Sequence, residues 1–255
     1  MRYALITLAV STAVAVLPLG SAEAAAYPVN NKTLTDNPLY ESGRLPSTSC
    51  PEKPIKRLSP SSAKTYLTGV LTCLNRTWES HLRKAGVKFS KPKATFSTKP
   101  PARFCGTKWD KDWVEYYCDD SKSLHIVLDK SLLKEPEDLY LFNLISMDYG
   151  QHVQNLTGIW RAYERTPYRN KAEEAEQNRR YNLQSDCLAA TFIKSVWPSL
   201  DRDKEDWADL LYYLRDWAGK YNGSRKNITY WADRGFKSAD PASCNTWAAP
   251  SSKVA

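Results

Sequence analysis

The segment Ser146-Met147-Asp148-Tyr149-Gly150-Gln151-His152-Val153-Gln154 lies within a stretch of helical periodicity, yet carries Asp, Gly, Gln and His where a core helix has Leu and Ala. Glycine inside a helix costs about 1 kcal/mol against alanine, so Gly150 signals close packing or a local demand. A second unusual run follows, Tyr181-Asn182-Leu183-Gln184-Ser185-Asp186-Cys187, and Asn182 and Asp186, four apart, share one face of the next helix. Asp148 and His152 have the same spacing. Carboxylates and an imidazole gathered in this way suit two arrangements. One is a metal held by Asp148, His152 and Asp186. The other is a buried, hydrogen-bonded Asp–His–Asp cluster that satisfies its own polar groups.

Other chemistries find little material. The chain has only three His, namely His81, His125 and His152. His81 falls near the end of an amphipathic helix and is expected to be exposed; His125 lies on a strand face. No Gly-x-Ser-x-Gly elbow accompanies them, which argues against a serine hydrolase. Nine Trp and 15 Tyr would suit stacking on sugars. However, Trp78, Trp207, Trp217 and Trp231 recur among aliphatics at helical spacing and read as core. A net charge of +8 allows loose contact with anionic polymers. No RNP, helix-turn-helix or zinc-finger pattern points to nucleic acid.

The first 26 residues read as a secretory signal peptide. Met1-Arg2 precedes an apolar run from Ala4 to Gly20, and Ala24 and Ala26 offer small-residue cleavage sites. Export makes the six cysteines an even set in an oxidising compartment, so three disulfides are expected. Spacing favours Cys50 with Cys73, Cys105 with Cys118, and Cys187 with Cys244, although six cysteines allow 15 pairings. Full pairing leaves no thiol nucleophile. With no later apolar segment of spanning length, the mature protein is expected to be secreted, without a membrane span.

The elements that must position these residues read as α+β. Residues 27–49 form a flexible lead-in and 249–255 a tail, flanking a single domain over 50–248. Ser59 caps a helix with Pro60 at its first position, and Gly86 stops it. Lys91 to Arg103 is loop with room for one short strand. Trp113–Cys118 and Leu124–Asp129 form a hairpin. Helices follow over Leu139–Glu164, Lys171–Trp197, Asp203–Tyr221 and Ser224–Lys237.

Taken together, these residues resemble the neutral zinc metallopeptidase family, whose signature is HEYGHHVQ on one helix and ELQADC on the next. Phe104-Cys105-Gly106, Tyr116-Tyr117-Cys118 and Leu128-Asp129 resemble the family's CG…FYC…YLD stretch. Gly158-Ile159, Asp186-Cys187-Leu188-Ala189, and Trp231…Gly235-Phe236…Asp240-Pro241…Cys244-Asn245-Thr246 resemble its later blocks. Cys73-Leu74-Asn75-Arg76-Thr77-Trp78 is similar to secreted actinobacterial members. The resemblance implies a mostly helical, zincin-type domain with a small sheet. It also implies a zinc bound by two His four apart and by a Glu from the next helix, with an adjacent Glu activating the metal-bound water.

Position by position, that machinery is replaced. Met147 and Gln151 stand at the two His positions, Asn182 at the third-ligand Glu, and Asp148 at the catalytic Glu. Asp186 keeps the acid that would orient a ligand from behind. His152 matches an additional His that is not a ligand in the HExxH scheme, and Asn222 stands where the family has a His in an HGS sequence. Neutral amide oxygens and a thioether suit zinc poorly. The expectation is therefore a secreted, disulfide-stapled pseudopeptidase without a cofactor, which binds a peptide, protein or cell-envelope ligand. The alternative is an active zinc peptidase with a non-standard metal site.

Overall fold

The computed structural model describes residues 27–134 and 136–255; the expected signal peptide lies outside them. The chain runs through α1 (Lys32–Thr35), α2 (Pro60–Lys84), β1 (Lys93–Ser97), β2 (Arg103–Phe104), β3 (Thr107–Lys108), β4 (Glu115–Cys118) and β5 (Ser123–Val127). It continues through α3 (Lys130–Leu133), α4 (Asp138–Leu156), α5 (Ile159–Glu164), α6 (Lys171–Val196), α7 (Lys204–Leu214) and α8 (Arg225–Ser238). The architecture is α+β, as expected.

Local chemistry accounts for most boundaries. The Ser59 hydroxyl accepts from Ser62 N–H at the start of α2, and Pro60 occupies its first turn. Asn170 caps α6, Asp203 forms a capping box with Asp206 on α7, and Ser224 caps α8. The helix expected over Leu139–Glu164 is instead two helices. Gly158 adopts φ 80°, a conformation that ends α4 and redirects the chain into α5.

The sheet order is β1-β5-β4, with β1 parallel and β4 antiparallel to β5. The one strand expected before the hairpin is therefore β1, and it joins the hairpin's sheet. Phe104 pairs with Thr107 around a two-residue turn, in which Cys105 and Gly106 both have positive φ, 53° and 72°. A disulfide joins that turn to the end of β4 through Cys105–Cys118. Cys50–Cys73 and Cys187–Cys244 complete the set, so all three spacing-based pairings are present.

The core is built around α6, which packs against α4 on one side and α8 on the other. α8 approaches so closely that a Cβ on Gly235 would collide with the Cys187 carbonyl. The lead-in, expected to be flexible, is docked on the body, and so is the tail. Leu34, Leu39 and Leu45 of the lead-in are buried. Asn37 Nδ2 donates to Thr157 O at 3.1 Å, and Leu45 N–H to Ala239 O at 2.8 Å. In the tail Val254 is buried, and Asn227 Nδ2 donates to Ala255 O at 2.7 Å. These segments have too few apolar residues to show a period, and only the folded body supplies partners for them. His81 is likewise buried, 3% exposed, against Ser42 of the lead-in.

Candidate functional site

The two motif-bearing helices meet at Gly150. A Cβ there would lie 2.7 Å from Ser185 O, so α4 and α6 approach at backbone distance and only glycine fits. One turn on, Gln154 Nε2 donates to Tyr181 O and to Gln184 Oε1, both at 2.9 Å. Gln184 in turn donates to Tyr40 OH at 2.7 Å, and Trp247 Nε1 donates to Gln184 Oε1 at 3.1 Å. This seam holds the segments 147–151 and 182–186 side by side. Gly150 thus meets a packing demand, one of the two the sequence offered for it.

Three carboxyl groups gather next to the seam. Asp148 is 2% exposed, and its Oδ2 has no hydrogen-bond donor in reach among the described residues. The Glu115 side chain, at the start of β4, hydrogen-bonds to Asp148. Burial pushes Glu115 up to about 7, with the Asp148 hydrogen bond opposing the shift. Burial also raises Asp148 well above the carboxylate range, and the Glu115 charge and hydrogen bond add to it. Asp186, 7% exposed, is pushed up to about 7, first by burial and then by the charge of Glu115. Two ionised carboxylates cannot donate to each other, so the Glu115–Asp148 contact requires a proton between them. The sequence reading missed Glu115. Its one signal was an acid among aromatics in Trp113-Val114-Glu115-Tyr116-Tyr117.

His152 does not belong to this group. Tyr117 OH donates to its Nδ1 at 2.7 Å, and its Nε2–H donates to Ser90 O at 2.7 Å. Asn155 Nδ2 donates to the same Tyr117 hydroxyl at 3.2 Å, which fixes the direction of the chain. Burial lowers His152 to about 4, so the ring is neutral at pH 7. With both nitrogens engaged it has no lone pair for a metal. The expected Asp148–His152–Asp186 cluster and the rebuilt metal site on the same residues are both corrected: the acid that contacts Asp148 is Glu115, whose charge also acts on Asp186.

The positions marked by the resemblance hold neutral groups with partners of their own. Met147 is buried, and its Sδ accepts from Asn143 Nδ2 at 3.3 Å. Asn182 Nδ2 donates to Tyr221 O and to Asn222 Oδ1, both at 3.0 Å, and Asn222 Nδ2 donates to Trp217 O at 3.0 Å. Asn182 and Asn222, two of the positions the resemblance marks, are thus hydrogen-bonded to each other. Gln151 is partly buried. A thioether and two amides cannot offset the desolvation of zinc, so the residues present do not fit that ion. Among the described residues no group of three or more His, Cys, Asp or Glu could hold a metal ion. All six cysteines are paired.

Comparison with known proteins agrees with the resemblance. The protein YpfJ of Escherichia coli K12 is 25% identical over 217 residues, covering 75% of this chain and 75% of that protein. Its counterpart in E. coli O6:H1 matches to the same extent. No solved structure matches. Residues 40–208 match the family described as "Putative neutral zinc metallopeptidase", a span that contains Glu115 and both motif helices. The chain belongs to this neutral zinc metallopeptidase family.

Proposed function

We propose that this protein is a secreted, non-catalytic member of its family, a pseudopeptidase that binds a peptide or cell-envelope component. The observation that carries the reading is the donor set: Met147, Gln151 and Asn182 offer only neutral, weak ligands, and Asn182 is committed to Tyr221 and Asn222. Asp148 supports it further, since a buried carboxyl that shares a proton with Glu115 is not a free base. For secretion, the support is the signal-like sequence at 1–26 together with three disulfides. No helix among the described residues is long and apolar enough to cross a membrane.

The test is the metal content of protein purified without chelator. Less than about one-tenth of a zinc per chain is expected; one tightly bound zinc per chain would overturn the reading. A constructive arm restores Met147→His, Asp148→Glu, Gln151→His and Asn182→Glu together. The restored chain should bind zinc if the ligands alone were lost. A folded variant that binds none would mean that the surrounding cleft has diverged as well.

A further inference from the structure

Two helical turns beyond Asp148, a cavity of about 870 Å³ opens between the end of β4, the last turn of α4 and α5. Trp160 forms part of its wall, with Lys88, Lys122, Arg161 and Arg165 around it. We propose that this cavity binds an acidic oligosaccharide, stacking a sugar ring on Trp160 and pairing its carboxylates with the surrounding Lys and Arg side chains. This site is separate from the degenerate metal site and goes beyond the pseudopeptidase reading.

Three features carry the proposal. First, Trp160 is partly exposed to the cavity, yet its ring is held by Tyr163 and Tyr181, with centroids 5.6 and 5.4 Å away. An indole held by two tyrosines is rigid, and its cavity-lining surface suits the C–H surface of a pyranose. The rest of the ring packs against the edge of the core.

Second, the charges around the cavity are unpaired. None of its four cations, nor its acids Asp119, Asp120 and Glu164, forms an ion pair among the described residues. Exposed surface charges commonly lack partners, but seven around one concavity leave it equipped for a polar ligand rather than an apolar one. The excess is positive. Burial pushes Asp119 up to about 8, so it is mostly protonated at pH 7 and would donate to a hydroxyl, which increases that excess.

Third, the floor is ordered. Asn155 Nδ2 donates to Asp119 O at 2.6 Å and to the Tyr117 hydroxyl that holds His152, so the pocket is braced from the same network as α4. A volume of this size accommodates several sugar rings. The pairing of a stacking face with hydroxyl partners and cations favours a sugar acid over a simple polyanion, which would leave Trp160 unused.

The experiment is calorimetric titration of the full mature chain with trigalacturonate, alongside maltotriose and triglutamate. Trigalacturonate should bind with a Kd of about 1 mM or tighter at low ionic strength, and more weakly as salt screens the rim. Trp160→Ala and the exposed pair Arg161→Ala/Arg165→Ala should each weaken binding at least about tenfold, the Arg pair at unchanged melting temperature. If Trp160→Ala does not fold, the Arg pair alone decides the matter. No binding of trigalacturonate, equal binding of maltotriose or triglutamate, or unweakened binding by folded variants would each overturn the proposal. None of these outcomes bears on zinc content, so failure here is distinct from failure of the pseudopeptidase reading.

Discussion

Buried charge occurs at two places along α6, and the two are handled in opposite ways. Near the start of the helix, Glu176 and Arg180 pair at 2.7 Å, both 3% exposed at the side chain. Ser251 Oγ donates to Glu176 at 2.9 Å, and Arg180 NH1 donates to the carbonyls of Thr246, Trp247 and Ala249. The charges there are opposite and well supplied with hydrogen bonds. One and a half turns beyond, Asp186 joins Glu115 and Asp148, three acids with no ion pair to any base among the described residues, where Asp148 Oδ2 also lacks a donor. The first place is an anchor for the C-terminal segment. The second is a cluster of like groups, and protons offset its charge. Acids buried without a counter-charge are retained only where other packing fixes the backbone around them. Here the Gly150–Ser185 contact and the Gln154–Gln184 hydrogen bond do so.

Breaking the anchor should have the largest effect. Arg180→Met leaves Glu176 buried without its partner and frees three carbonyls, so a loss of about 3–5 kcal/mol in chemical denaturation is expected. A loss under about 1 kcal/mol would mean that the anchor matters no more than a surface pair. Next is the seam between the two charged places. Gly150→Ala forces a methyl onto Ser185 O, and a destabilisation of about 1–3 kcal/mol, seen as a lowered melting temperature, should follow.

The acid corner should respond in the opposite direction. Glu115 and Asp186 are raised to about 7 from 4.5 and 3.8, so the native state holds protons that the unfolded chain releases. Their contribution is fully present below about pH 4 and is lost as pH rises through 7. Asp148→Asn keeps a hydrogen bond to Glu115, now with the amide as donor, and removes one acid. It should stabilise the protein by about 1–2 kcal/mol at pH 8 and flatten the decline between pH 5 and 8. Destabilisation by Asp148→Asn at pH 8 would show that the carboxylate has a counter-charge after all.

His152 works with the reverse sign. Its native value is lowered from 6.5 to about 4, so its contribution is present above pH 6.5 and is lost as pH falls through 4. The smallest effect is therefore spectroscopic: the His152 ring resonances should stay nearly constant from pH 8 to pH 5.5. A midpoint near 6.5 would mean that the ring is solvated and is free to join Asp148 and Asp186.

Much of the scaffold was legible because its signals are local. The Ser59-Pro60 start, the extent of α6 and the three disulfides follow from caps, periodicity and cysteine spacing. The break at Gly158 was missed because helical periodicity continues across it, and only the positive φ reveals the turn. Docking of the lead-in was missed because Leu34, Leu39 and Leu45 are too sparse to form a pattern. The site divides in the same way. Met147, Gln151 and Asn182, the residues that the resemblance places at ligand positions, can be picked out in a single reading of the chain, since a motif is a local object. The partner of Asp148 was not, because Glu115 arrives from a strand far away in sequence.

The sequence by itself determined which atoms are available: six cysteines, three histidines, and, at the positions the resemblance marks, two amides and a thioether. Residue chemistry sets donor strength regardless of geometry. Only the tertiary structure decided what those atoms face. It turned His152 toward Tyr117 and Ser90, tied Asn182 to Asn222, and brought Glu115 against Asp148. Helix rotation and the β4–α4 contact assign those partners, and both are products of packing.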